Sequence, residues 1–98
     1  MKIEILPEAN EDLIAGFHFY EKQSSGLGFY FLDSLFSDID SLLIYGGIHP
    51  IVFGSHRCLS RRFPFAIYYV IEGEAIRVQA IYDCRKNPTK IRRRLKKR

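Results

Sequence analysis

The sequence has no apolar run approaching the roughly 18–20 residues needed to cross a bilayer, which excludes a membrane-spanning helix. Its opening residues, MKIEILPEANEDL, carry acids where a signal peptide carries an apolar core, so a cytoplasmic chain is expected. Cysteine is scarce. Cys58 and Cys84 form no metal-ligand spacing with each other or with the three histidines, and both are expected as free thiols. There is no HExxH, no glycine loop leading into Lys-Ser/Thr and no internal repeat. No metal and no cofactor are therefore expected. The 98 residues suffice for one core and not for two, so 1–98 is read as a single domain. Charged residues make up 27%, near the globular average, which excludes wholesale disorder.

Acid is missing from the end of the chain. Residues 85–98 hold nine Lys or Arg and no Asp or Glu. Residues 1–45 hold eight acidic and two basic side chains, a net of −6, whereas residues 46–98 hold three acidic and thirteen basic ones, a net of +10. Charge segregated in this way predicts a dipolar surface whose basic side attracts polyanions or acidic proteins.

What is present reads as a short strand, two helices and a run of strands. Residues 2–6 (KIEIL) alternate and stop at Pro7, which can open a helix because its missing N–H costs nothing in the first turn. Ala9, Leu13, Phe17 and Tyr20 recur at helical spacing, predicting helix over 9–23, with Glu8, Glu11 and Asp12 near its positive end. Leu32, Leu35, Phe36, Ile39, Leu42 and Leu43 predict a second helix over 28–45, with Ser34, Asp38 and their polar neighbours on its outer side. The glycines at 26, 28, 46 and 47 read as helix stops. Strands are expected at 54–62, 65–71 and 75–82, with Ile76, Val78 and Ala80 on one face of the last and Gln79 and Ile81 on the other. Thr89 is positioned to cap a short, very basic final helix. The order β-α-α-β-β-β-α predicts an α+β fold, in which a helical hairpin covers one face of an antiparallel meander and the other face carries basic residues.

Catalytic constellations are sparse. His18, His49 and His56 fall on a helix, a loop and a strand; surface or structural roles are expected for all three. His56 and Cys58 share a strand face at i, i+2, but a buried free cysteine is the commoner outcome. What remains is cationic. Arg57, Arg61 and Arg62 lie on or at the end of the first meander strand, Arg85 and Lys86 lie at the exit of the last, and Arg92 and Arg93 lie in the tail. The six guanidinium forks and the Lys86 ammonium can grip phosphates or carboxylates, so all seven are candidate target-binding residues. Whether the two ends of the meander meet depends on register, which the sequence leaves open.

The segment FPFAIYYVIEGEAIRVQAIYDCRKNP resembles the RelE/ParE superfamily of bacterial toxins, and the preceding strand, helical hairpin and RCLSRRFP extend the resemblance over nearly the whole chain. The resemblance implies a type II toxin–antitoxin module, with an acidic antitoxin that wraps the toxin across the sheet and beside the helices. Without that partner the toxin would expose apolar surface and could self-associate. It implies one of two targets: DNA gyrase, bound as by ParE, or the ribosome, where RelE-like relatives cut mRNA without a metal. Nuclease relatives usually carry an arginine where this chain has Ala66, and a Tyr or His in the C-terminal segment, where residues 87–98 have neither. The catalytic candidates are Asp83 as base with Arg61, Arg62 or Lys86 stabilising charge. The ParE-like branch is therefore preferred, with mRNA cleavage and a non-toxic nucleic-acid-binding module as the alternatives.

Overall fold

The computed structural model describes residues 1–96. Lys97 and Arg98, the end of the basic tail, lie outside the described residues. The elements are β1 (Lys2–Ile5), α1 (Pro7–Gln23), α2 (Leu27–Asp40), α3 (Leu42–Tyr45), β2 (Ile51–Val52), β3 (Ser55–Leu59), β4 (Phe65–Glu72), β5 (Ala75–Asp83) and α4 (Pro88–Lys96). They form the expected α+β architecture around one five-stranded sheet of order β1-β5-β4-β3-β2. Strand β1 runs parallel to β5, and the other pairs are antiparallel. The strand absent from the sequence reading is β2, two residues long and joined to β3 by a tight turn at Phe53-Gly54, both with positive φ.

The hairpin of α1 and α2 buries a broad core against the sheet. Ala9, Leu13 and Tyr20 from α1 and Phe31, Leu35 and Ile39 from α2 meet Phe65, Ile67, Tyr69, Ile76, Val78 and Ile81. The buried stripe of α2 is therefore Phe31-Leu35-Ile39, whereas Phe36 and Leu43, expected inside, are exposed. Ser34 and Asp38, expected outside, are buried. Gly28 is no stop: it sits inside the first turn of α2, where a Cβ would lie 2.6 Å from the Phe17 carbonyl oxygen, so its role is close helix–helix approach. The predicted second helix breaks at Ser41, whose hydroxyl donates to the Asp38 carbonyl at 2.6 Å.

Strand β5 does not alternate throughout. Tyr68 pairs with Ala80 and Tyr69 with Val78, leaving Gln79 as an extra residue. This bulge reverses the facing of everything beyond it. Ile81 joins the helical-hairpin core, and Ala80 turns to the opposite face with Ala66 and Tyr68. That opposite face is not open. Ile91 and Leu95 of α4 cover it, being 1% and 6% exposed. The cap of α4 is Asn87, whose side-chain oxygen accepts from the Thr89 N–H at 2.9 Å, with Pro88 in the first helical position. Thr89 is thus one step inside the helix it was expected to cap.

Candidate functional site: a basic end of the sheet

Register decides where the cations go. Leu59 pairs with Ala66 and Ala66 with Tyr82, so the β3–β4 loop and the exit of β5 lie at the same end of the sheet. The loop is pinned from beneath. Asp38, on the inner side of α2, accepts from the Ser60 hydroxyl at 2.7 Å and the Arg61 N–H at 3.2 Å. Phe63 wedges against Tyr20 and Phe31, with ring centroids 4.9 and 5.1 Å away. Arg61 and Arg62 are left exposed on a fixed backbone. The Cys84 N–H donates to the Pro64 carbonyl at 2.8 Å, joining loop and exit.

At the exit, Asp83 is fully occupied by Arg85. It accepts from that residue's backbone N–H, Nε and Nη2 at 2.9, 3.0 and 2.8 Å. Those hydrogen bonds from Arg85 hold the Asp83 carboxyl below its ordinary range despite partial burial. Asp83 therefore serves Arg85 and not Arg61 or Arg62, and as a group deprotonated well below neutrality it is poorly matched to general-base work. Among the described residues, no side chain of Arg57, Arg61, Arg62 or Lys86 forms a direct ion pair with a carboxylate, although Lys86 adds to the positive field at Asp83. Arg57 instead reaches toward the exit, with Nη2 3.7 Å from the Cys84 sulfur.

A cavity of about 220 Å³ opens between these groups, lined by Arg57, Tyr68, Tyr82, Cys84 and Lys86 and floored by Ala66. The Tyr82 hydroxyl donates to the Asn87 carbonyl at 2.6 Å, and burial raises its pKa. The cavity thus presents two cations and two phenols, a set that holds an anion or the face of a base. Arg92 and Arg93 are exposed on α4 and line neither this cavity nor its neighbour. The structure thus gathers Arg57, Arg61, Arg62, Arg85 and Lys86 at one end and leaves those two on the helix beside it.

Three features escaped sequence reasoning. Asp38 is the anchor of the loop; its signal was its spacing, three residues after Leu35 and four before Leu42, which puts a carboxylate beside the buried stripe. Asp12 and Arg94 form a two-pronged pair at 3.0 and 2.7 Å. The pair closes the free edge of β5 beyond the end of β1: Asp12 accepts from the Ile81 N–H at 2.9 Å, and Arg94 donates to the Gln79 carbonyl at 3.1 Å. Beside it lies a cavity of about 400 Å³ bounded by Gly16, Phe19, Ile81 and Lys86. Third, His49 and His56 converge on Tyr69. The phenol donates to His49 Nδ1 at 2.5 Å and accepts from the Gly47 N–H at 2.9 Å, while His56 stacks on the ring and donates to the His49 carbonyl. Cys58 is buried, its thiol pushed up first by desolvation and then by Asp38, so the His56–Cys58 pairing does not arise.

No cluster of metal-ligating side chains occurs among the described residues, and no described helix is long and apolar enough to cross a membrane. No protein-family model matches the sequence, and no curated protein matches it. A solved structure of the chromosomal ParDE TA system from P. aeruginosa contains a chain with the same architecture. The TM-score is 0.73 at 20% identity, over 85% of this chain and 95% of that one. The likeness is one of fold: the two chains share the same α+β architecture.

Proposed function

We propose that this chain is the toxin of a bacterial type II toxin–antitoxin module, acting in the cytoplasm by ParE-like binding to DNA gyrase and silenced by an acidic antitoxin. The observation that carries this reading is the convergence of Arg57, Arg61, Arg62 and Lys86 at one end of the sheet, their side chains in no direct ion pair among the described residues. The likeness in fold to the ParDE system supports it. Cations held on a pinned loop suit the capture of an acidic or phosphate-bearing surface. Binding is preferred to cleavage because the carboxylates at this end are already engaged, Asp83 by Arg85 and Asp38 by Ser60 and the Arg61 backbone. The test is a supercoiling assay with purified gyrase. The toxin is expected to inhibit supercoiling or trap cleaved DNA, and Arg61→Glu with Arg62→Glu is expected to abolish the effect while leaving thermal stability unchanged. Unaltered supercoiling at saturating toxin, with no trapped complex, overturns the gyrase reading.

One observation favours RelE-like mRNA cleavage as the second reading. The cavity between Arg57 and Lys86 places two phenols beside two cations, a setting for one nucleotide. Codon-phased cuts in primer extension of mRNA from induced cells, lost on Arg57→Ala and on Tyr82→Phe, would establish it.

A further inference from the structure

At the edge of the sheet away from β1, the surface changes character. Residues 41–56 contain no Asp, Glu, Lys or Arg, an uncharged interval between the acidic and basic halves of the chain. Within it Leu43, Ile44, Tyr45, Ile48 and Ile51 are 54, 78, 53, 73 and 60% exposed. Leu43, Ile44 and Tyr45 belong to α3, Ile48 to the turn that follows it and Ile51 to the edge strand β2. This stretch is held in shape. The Ile48 N–H donates to the Tyr45 carbonyl at 3.2 Å, and the Tyr69 hydroxyl binds both Gly47 and His49. An ordered backbone here displays large aliphatic side chains to water.

We propose that this patch is a homodimer interface, covered in solution by the same patch of a second copy. Two arguments select that occupant. The first is charge. A two-fold contact sets a surface against itself, so any net charge repels its own image. The acidic hairpin and the basic end of the sheet both fail that condition, and the uncharged interval meets it. The second is area. At roughly 150–200 Å² for each large side chain, the five exposures leave on the order of 500–600 Å² of apolar surface. That is the upper range for a lone patch on a monomer and most of the about 800 Å² per partner in a standard interface. The edge strand β2, only two residues long, lies within the contact and is screened by it. The inference is independent of the toxin reading.

Sedimentation equilibrium of the purified full chain, from low to several hundred micromolar, tests it. A reversible monomer–dimer equilibrium is expected, insensitive to salt because no ion pairs cross the contact. Ile44→Asp and Ile48→Asp should each weaken association about tenfold or more. Both positions are exposed in the folded chain, so thermal unfolding and circular dichroism should not change. A chain that stays monomeric throughout overturns the proposal. So does a dimer that survives the double substitution or dissociates with rising salt. If the chain is monomeric and the substitutions instead abolish capture of a co-expressed antitoxin, the patch belongs to that partner and the homodimer is wrong.

Discussion

The two faces of the sheet are covered by different means. On one side α1 and α2 lay down a continuous aromatic and aliphatic core in which the Phe31 ring contacts those of Tyr20, Phe63 and Phe65. On the other, α4 contributes two buried apolar side chains, Ile91 and Leu95, and is fastened by Arg94. The first cover fixes the fold. The second is thin, and it forms one wall of the cavity that holds Arg57 and Lys86. Stability need not be uniform across a structure, and elements with few buried contacts open locally at less cost than the whole. The difference teaches that the site-forming cover and the fold-forming core can be perturbed separately.

The comparison breaks first, and most, at Phe31. Its ring contacts those of Tyr20, Phe63 and Phe65 at 5.2, 5.1 and 5.0 Å, and it is fully buried. Phe31→Ala is expected to cost about 3–5 kcal/mol in denaturant unfolding, close to the whole stability of many small domains. A loss below about 1 kcal/mol would show that the hairpin core is not what holds the fold.

Next comes the fastening of α4. Asp12 and Arg94 are only 21% and 23% exposed, so removing either leaves a poorly hydrated charge or an uncapped edge of β5. Arg94 Nε, 3.3 Å from Glu8, adds a third contact to α1. Asp12→Ala is expected to cost about 2–3 kcal/mol, and restoring neutrality with Arg94→Met should recover part of it. Amide exchange separates local from global loss: Ile81 and the amides of α4 should exchange faster while Ile67 and Val78 stay protected. Leu95→Ala should cost less, about 1–2 kcal/mol, because undocking of α4 limits what its own contacts can contribute. Equal loss of protection on both faces would mean that the sheet and its two covers unfold as one unit.

How far the sequence reveals these two covers follows from the same contrast. The hairpin side is legible in layout because its residues recur at helical spacing and its strands are apolar runs, although the facing of Ser34, Phe36, Asp38 and Leu43 and the break at Ser41 are not. The α4 side is not. Periodicity through β5 predicts Ala80 and Ile81 on the wrong faces, because a bulge is set by pairing with β4 and leaves no mark in strict alternation. The docking of the basic final helix is hidden because Ile91 and Leu95 are only two apolar positions among many cations, yet at i, i+4 they suffice to dock one helical turn. Asp12 and Arg94 are 82 positions apart, and nothing local marks either as the other's partner. Of the candidate site, the identity of the cations was legible and their meeting place was not, since that rests on strand register.

The smallest expected effect lies on the hairpin side, at its β2 edge. His49 accepts the Tyr69 hydroxyl hydrogen at Nδ1, so this bond exists only while the imidazole is neutral. Protonation would put a donor against a phenol that already accepts from the Gly47 N–H, beside the His56 ring. Burial first, and His56 second, accordingly lower the His49 pKa from its ordinary 6.5. A group with a depressed histidine pKa binds fewer protons folded than unfolded. Its contribution is complete above the unfolded value of about 6.5 and is lost as pH falls below it toward the folded pKa. The melting temperature of the wild-type chain should therefore drop on acidification through that window more steeply than that of His49→Gln. If the two curves run parallel, Tyr69 is held by packing alone, and the hairpin core reaches the β2 edge without help from this hydrogen bond.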